Sequence, residues 1–200
     1  MNVLFCTPEV YPFSKIGGLA DFSASLPKAL NNLKHNVYVV SPYYRRVHRD
    51  FGKKVTFIGE KNINLGENVE IAKYYKMEYN DVTHFFIGHE FFNRKYFFNH
   101  DDDFLRFTFL NKAILELMSL IDFFPEIMHL NDWSTSLIPY IISSEYSEDS
   151  RYTNIKTLLT IHNLEKQGAF ARDYEKYFTK KNFTYLHLND INFLKTGIMR

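Results

Sequence analysis

Three short polar segments each follow an apolar run that is typical of a buried strand. They are residues 15–18, 129–133 and 162–163. In sheets of parallel strands, ligands bind beyond the carboxyl ends of the strands, so we expect the three segments to face one crevice. Their convergence, more than any single residue, predicts a ligand site there.

The first segment places a lysine and two glycines in front of a predicted helix. Gly17 and Gly18 let a ligand approach the backbone, and the free amides at a helix N-terminus favour an anion, whose charge Lys15 could neutralise. An ordinary flexible turn with a solvated lysine is the alternative. Neither the dinucleotide-binding pattern G-x-G-x-x-G nor the P-loop pattern G-x-x-x-x-G-K-[ST] occurs, which argues against both classes of site.

The other two segments carry a carboxylate, the only tryptophan and a histidine-asparagine pair. Asp132 and Trp133 follow one strand, and His162 and Asn163 follow a later one. Each also has a purely structural interpretation. Asp132 could cap the next helix, Trp133 could anchor the core, and residues 162–163 could form a polar turn. Both kinds of interpretation stay open from these residues alone.

The sequence does not favour a metal, a cofactor or a nucleophilic side chain. The histidines lack zinc-site spacing. Asp101-Asp102-Asp103 contains the D-x-D pattern that some enzymes use for a divalent metal, but it opens a strongly periodic helix, so capping is the favoured role. Cys6 lies in a predicted buried strand, and no Ser-His-Asp or Cys-His set stands out. We predict neither a metal nor a cofactor.

Composition and charge restrict the classes of partner. The 200 residues suit one domain or a modest pair, and a net charge of +1 does not indicate a nucleic-acid surface. The single cysteine excludes an intrachain disulfide and suits a reducing compartment. No signal peptide is recognised, and no apolar run approaches membrane-spanning length. We therefore expect a cytoplasmic protein that binds neither membranes nor nucleic acid.

Strands alternate with helices along most of the chain, which predicts an α/β fold with a doubly wound, mostly parallel sheet. Between residues 55 and 88 the apolar positions alternate with period two between turn residues, which predicts inserted antiparallel hairpins. The other predicted strands are at 3–6, 36–40 (ended by Ser41-Pro42), 127–130 and 157–161. The predicted helices are at 19–33, from about 134 to 143, and in short segments after 161. The acidic triplet opens a further, long helix, whose predicted buried stripe is Phe107, Leu110, Ile114, Leu117, Met118 and Ile121.

Four longer motifs occur in a fixed order. They are E-V-Y-P-F-S-K-I-G-G-L-A-D-F-S-A-S-L-P-K-A-L at 9–30, H-L-N-D-W at 129–133, T-I-H-N-L-E-K-Q-G at 160–168 and N-F-L-K-T-G at 192–197. Together with D-F-L-R-F at 103–107, they resemble the motifs of bacterial glycogen synthases and plant starch synthases. The similarity spans essentially the whole chain, and the ordered motifs make it specific.

The resemblance implies a metal-independent glycosyltransferase built from two Rossmann-like domains, the GT-B architecture. Residues 1–200 would be its N-terminal, acceptor-side catalytic domain, with the C-terminal nucleotide-binding domain absent. This family transfers glucose from ADP-glucose to the non-reducing end of an α-1,4-glucan, glycogen or a maltooligosaccharide, with retention of configuration. We therefore expect glucosyl transfer by the full-length protein and inactivity of the isolated chain.

The resemblance also implies roles for individual residues. Lys15 would bind the donor phosphates with the help of the glycine amides, and the His162 backbone carbonyl would lie near the anomeric carbon. The implied catalytic residues are Lys15, Asp132 and His162, and the implied substrate-binding residues are Lys15, Gly17, Gly18, Asp21 and Asn163. Four positions depart from the family pattern: Ile16 (usually Thr), Phe92 (often Tyr), Asn131 and Ser134 (commonly His).

Two other functions are compatible with the motifs to different degrees. A stand-alone, non-catalytic module could bind α-glucan through the same crevice. An unrelated doubly wound nucleotide-binding domain is disfavoured by the ordered motifs. The sequence does not choose between ADP-glucose and UDP-glucose, because the base pocket would lie in the absent domain, and it does not determine the oligomeric state.

Overall fold

A mixed seven-stranded sheet forms the centre of the structure. The computed structural model describes residues 1–177, 186–187 and 190–200. The strands are β1 (Asn2–Cys6), β2 (Asn36–Pro42), β3 (Thr56–Leu65), β4 (Asn68–Tyr79), β5 (Val82–Gly88), β6 (Ile127–Asn131), β7 (Lys156–Thr160), β8 (Ala169–Ala171), β9 (Leu186–His187) and β10 (Asp190–Asn192). The helices are α1 (Gly18–Asn32), α2 (Arg45–Phe51), α3 (Asp103–Leu120), α4 (Ile138–Glu145), α5 (Ser150–Thr153) and α6 (Phe193–Ile198), with 3₁₀ turns at Glu90–Phe92, Trp133–Thr135 and Arg172–Tyr177.

The parallel part of the sheet confirms the predicted α/β class. The strand order is β3-β4-β5-β2-β1-β6-β7, and all neighbours from β5 to β7 are parallel. The inner strand β1 carries Leu4, Phe5 and Cys6, which are fully buried, as expected for a parallel strand covered on both faces. Because β1, β6 and β7 are neighbours with one direction, their carboxyl ends lie together.

The predicted antiparallel hairpins are also confirmed. β3 and β4 extend the sheet beyond β5 in antiparallel register. At the turn between β4 and β5, Asn80 and Asp81 have positive φ values of 50° and 64°, as in the two-residue turns that match strand twist. Because β5 then pairs with β2 in parallel, it joins the two parts of the sheet.

Helix α3 is buried on nearly every side rather than along one stripe. Phe107, Leu110 and Ile114 are fully buried as predicted, but so are Arg106 and Asn111. The helix contacts β3 and β5, and it also contacts α4 and the Trp133–Thr135 turn. This second set of contacts covers the positions that a one-stripe pattern leaves to solvent.

The acidic triplet opens α3 as predicted, but the predicted capping role is wrong. Asp102 stands at the N-cap position without a capping hydrogen bond and instead accepts two from Arg94, at 2.5 and 2.6 Å. Asp103 accepts hydrogen bonds from the Asn99 amide, at 2.7 Å, and from Arg106. Guanidinium groups form charge-assisted bonds with carboxylates, and here they take the place of the helix amides.

Loss of the Asp103 carboxylate is expected to destabilise the fold strongly. Asp103→Ala should lower the free energy of unfolding by about 3–5 kcal/mol, because it leaves the fully buried Arg106 guanidinium without its carboxylate. Asp101→Ala, at an exposed position of the same triplet, should change it by less than about 0.5 kcal/mol. Urea denaturation measures both, and equal midpoints for the two variants would contradict the expectation.

Two predicted boundaries were wrong for reasons that involve proline. The helix expected at 134–143 is replaced by the Trp133–Thr135 turn and by α4, because Pro139 fits the first turn of a helix but would clash with an earlier carbonyl inside one. Strand β2 does not end before Pro42 but includes it. A proline at a strand end costs the sheet only one hydrogen-bond donor.

The last part of the chain contains strands where only short helices were predicted. β10 pairs in antiparallel fashion with β8 and β9, and such short strands give no period-two pattern. The short helix α6 agrees with the prediction of short helices after residue 161. For residues 178–185 and 188–189, this prediction falls outside the described part of the chain. In the described part of the chain, no helix is long and apolar enough to cross a bilayer.

Candidate functional site

A cleft of about 1110 Å³ lies where β1, β6 and β7 end. All three segments singled out in the sequence line it, so the predicted convergence is confirmed. The lining residues from these segments are Lys15, Ile16, Gly17, Gly18, Asp132, Trp133, His162 and Asn163.

The loop after β1 is bound by a carboxylate that the sequence did not single out. Glu9 is only 5% exposed, and its Oε2 accepts hydrogen bonds from the amides of Ile16 and Gly17. Burial raises the pKa of the Glu9 carboxyl, and the two amides oppose that shift. The Gly17 amide is therefore hydrogen-bonded within the loop itself. Gly18, the first residue of α1, has an amide that precedes the internal hydrogen bonds of the helix.

Lys15 is an exposed lysine that is held by a neighbouring carboxylate. Its Nζ donates to both oxygens of Asp21 at 2.7 Å, and the two side chains are 41% and 54% exposed. Such a solvated pair is worth at most about 1 kcal/mol, so a phosphate can replace Asp21 as the partner at little cost. Asp21 lies on the first turn of α1 beside Lys15 and is not among the residues that line the cleft.

Asp132 joins the second and third segments. Its Oδ1 accepts hydrogen bonds from the amides of His162, at 2.6 Å, and Asn163, at 3.2 Å. It stands at the N-cap position of the Trp133–Thr135 turn, but its side chain forms no capping hydrogen bond, so the capping interpretation was wrong. The backbone of Asp132 has φ 57° and ψ −177°, a region that is populated almost only by glycine and in which strained residues cluster at functional sites.

The His162 imidazole is oriented by Asn131 and Phe22. Its Nε2 lies 3.0 Å from Asn131 Oδ1, and its ring packs edge-on against Phe22 with centroids 4.8 Å apart. The Nδ2 of Asn131 donates to the Cys6 carbonyl at 3.0 Å, which ties this contact to the end of β1. The pKa of His129, which lies on β6 with Asn131, is lowered mainly by burial and to a smaller extent by the neighbouring His162.

Trp133 confirms the interpretation as a core anchor, although its ring also lines the cleft. The side chain is 9% exposed and packs edge-on against Phe107 with centroids 4.7 Å apart. The backbone of Gly168, at φ 62°, passes directly over the indole. A Cβ there would lie 2.4 Å from Cε3 of Trp133, so only glycine fits this contact.

The cleft is strongly basic. Seven lysine and arginine side chains line it against three carboxylates, although the net charge of the chain is only +1. Arg46 and Arg49 share Asp50 as a partner, and Arg94 pairs with Asp102, so part of this charge is neutralised locally. The remainder favours an anionic ligand. No group of three His, Cys, Asp or Glu side chains among the described residues is arranged to hold a metal ion.

Comparison with known proteins identifies the family. The model of the starch synthase catalytic domain matches residues 2–200. The chain belongs to this family. It is 42% identical to the glycogen synthase of Acholeplasma laidlawii over 203 residues, and 35% identical to that of Caldicellulosiruptor bescii over 208 residues; each alignment covers 100% of this chain and 42% or 43% of the relative. The chain thus spans less than half the length of the curated relatives that it matches.

The fold of a starch synthase catalytic domain is confirmed by a solved structure. The catalytic domain of starch synthase IV from Arabidopsis thaliana, bound to ADP and acarbose, superimposes with a TM-score of 0.87 over 98% of this chain and 43% of that chain. The sequence identity is 24%, so this likeness establishes the Rossmann-like fold alone.

Two of the four departures from the family pattern lie within the core. Phe92 is fully buried and packs edge-on against Tyr44. Ser134 is also fully buried, and its carbonyl accepts a hydrogen bond from Asn111 at 2.7 Å. Asn131 instead reaches His162, as described above, and so takes part in the candidate site. Sequence reasoning noted Asn131 only as a departure, and it gave no role to Glu9, which lies three residues after β1 and opens the motif at 9–30.

Proposed function

We propose that residues 1–200 form the acceptor-side half of an ADP-glucose-dependent glycogen synthase. The reaction would move glucose from the nucleotide sugar to the non-reducing end of an α-1,4-glucan with retention. The observation that carries this proposal is the basic cleft in which Lys15, Asp132 and His162 come together in a chain of the starch synthase family. The two curated relatives described above are named glycogen synthases, which accords with the proposal.

The proposed chemistry needs positive charge at the leaving group. Departure of ADP breaks the bond between the anomeric carbon and the phosphate oxygen, and it leaves an oxocarbenium-like sugar together with a more negative diphosphate. Lys15 and the Gly18 amide would stabilise the diphosphate, and the backbone carbonyl of His162 would face the positive sugar carbon. The oxygen of the acceptor hydroxyl then forms the new bond to the anomeric carbon, and its proton passes to the departing diphosphate.

The remaining substrate contacts are proposed to lie in a part of the enzyme beyond this half. The relatives are more than twice as long as the aligned chain, and we assign to their other half the adenine, the ribose and much of the donor glucose. Asp21 and Asn163 would contact sugar hydroxyls on this side. We also propose a cytoplasmic location, in keeping with the buried free thiol of Cys6.

A purely glucan-binding module is the weaker proposal. An α-glucan is neutral, whereas the cleft concentrates seven cations around the candidate site. A neutral ligand gives no reason for this charge, while a diphosphate does.

Calorimetry with this chain tests whether residues 1–200 bind the acceptor while most donor contacts lie in the other half of the enzyme. We expect ADP-glucose to bind with a dissociation constant of about 1 mM or weaker, because the phosphate contacts of Lys15 are open to water. A maltooligosaccharide should still bind, and a radiolabelled transfer assay with glycogen should show no incorporation. Micromolar donor affinity or clear incorporation by residues 1–200 would contradict the proposed domain boundary.

A further inference from the structure

Glu9 is a buried carboxylate in the wall of the cleft, and the proposed chemistry assigns it no role. It lies three residues beyond β1, and the structure pairs its Oε2 with two successive backbone amides, those of Ile16 and Gly17. The Gly17 bond measures 3.3 Å. A single oxygen atom therefore holds the middle of the loop that carries Lys15 and Gly18.

A carboxylate at this position is unfavourable unless its hydrogen bonds are needed. Burial raises the pKa of the Glu9 carboxyl above its usual value, because water no longer solvates the charge. An apolar side chain would occupy the same space without this penalty. It could not, however, bind the amides of Ile16 and Gly17, which are exposed cleft-lining residues with little packing of their own.

The segment that contains His162 is held in the same way. Asp132 Oδ1 also accepts hydrogen bonds from two successive amides, those of His162 and Asn163. Two of the three segments that carry candidate catalytic residues, those of Lys15 and His162, are thus each bound through the backbone by one carboxylate oxygen. In both cases the carboxylate orients the loop through its backbone amides. The side chains of the loop can therefore still contact a ligand.

We propose that Glu9 is a positioning residue for the transfer reaction. By binding the Ile16 and Gly17 amides, it orients Lys15 and the Gly18 amide toward the diphosphate of an anionic donor, and it does not touch the substrate itself. This inference rests on the proposed function.

Three substitutions of Glu9 distinguish two roles of its carboxylate. In the first it positions the loop, and in the second it competes with an anionic ligand for the same place. Glu9→Gln keeps an oxygen for both amides, Glu9→Ala removes it, and Glu9→Asp withdraws it by one methylene while keeping the charge. We expect the affinity of the chain for inorganic pyrophosphate, measured by NMR titration, to fall about tenfold in the Ala and Asp variants and to stay within about threefold in the Gln variant. Competition predicts tighter binding in the Ala variant.

Ser14→Ala is the matched control in the same segment. Ser14 is buried, and its Oγ accepts a hydrogen bond from the Val10 amide at 3.1 Å, so the variant loses a comparable bond without touching the two amides that Glu9 binds. The amide resonances of Ile16 and Gly17 should shift in the Ala and Asp variants of Glu9 and stay in place in Ser14→Ala.

The outcomes distinguish this inference from the proposed function. Unshifted Ile16 and Gly17 resonances in Glu9→Ala, or pyrophosphate binding that is unchanged or tighter, would overturn the positioning role. Glu9→Asp carries the same test if the Ala variant does not fold. Absence of pyrophosphate binding by the unsubstituted chain would count against the proposed donor contact, while the two resonances still report whether Glu9 holds the loop.

Discussion

Lys15→Ala is expected to lower the turnover number of glucosyl transfer about 10²–10³-fold in a complete enzyme that contains this chain. This is the usual effect of removing one preorganised group that stabilises charge in the transition state. In the proposed reaction, negative charge grows on the diphosphate as the bond to glucose breaks, and Lys15 is the cation of the loop after β1. Its loss should therefore affect the chemical step more than the binding of the neutral acceptor.

The fold should survive this substitution. The Lys15 side chain is 41% exposed, and its partner Asp21 is 54% exposed, so water replaces the broken contact. Lys28→Ala provides the matched control, because it removes an exposed lysine of α1 that does not line the cleft. Initial rates with ADP-glucose and a maltooligosaccharide, together with melting curves, measure both effects. Turnover like that of the control, with normal melting, would refute the assignment.

Asp132→Gly should reduce turnover about 10²-fold while leaving stability almost unchanged. The carboxylate holds the amides of His162 and Asn163, and misplacement of a catalytic loop by about 1 Å costs about that factor in rate. The backbone at φ 57° and ψ −177° costs about 1–3 kcal/mol for a residue with a side chain. Glycine relieves that strain, which offsets the two lost hydrogen bonds.

Two further variants make this expectation specific. Asp132→Asn keeps an oxygen for both amides, and we expect it to retain most of the activity that Asp132→Gly loses. Asp122→Gly is the matched control, because Asp122 is exposed, has φ 50° and lies outside the cleft. Urea denaturation and initial rates separate the two contributions. A large loss of stability without a change in turnover would assign Asp132 a structural role only.

The local pattern of residues was enough to predict where a site would lie. The apolar run of β1 and the later strands β6 and β7 indicated parallel strands, and parallel strands bring their carboxyl ends to one edge. Lys15, Asp132 and His162 could therefore be assigned to one cleft before any contact was known. The ordered motifs added the family, which the comparisons confirm.

The hydrogen bonds within that cleft were decided by the tertiary structure. Asp132 and His162 are 30 residues apart, and their contact exists because β6 and β7 are neighbours in the sheet. The same holds for Glu9, whose partners depend on the path of the loop after β1. For the acidic triplet, the local sequence predicted the wrong partners. Arg94 and Arg106 donate hydrogen bonds to carboxylates that were predicted to cap α3. Periodicity and motifs report which face and which end of an element a residue occupies, whereas side-chain partners depend on distances between elements that only the assembled fold sets.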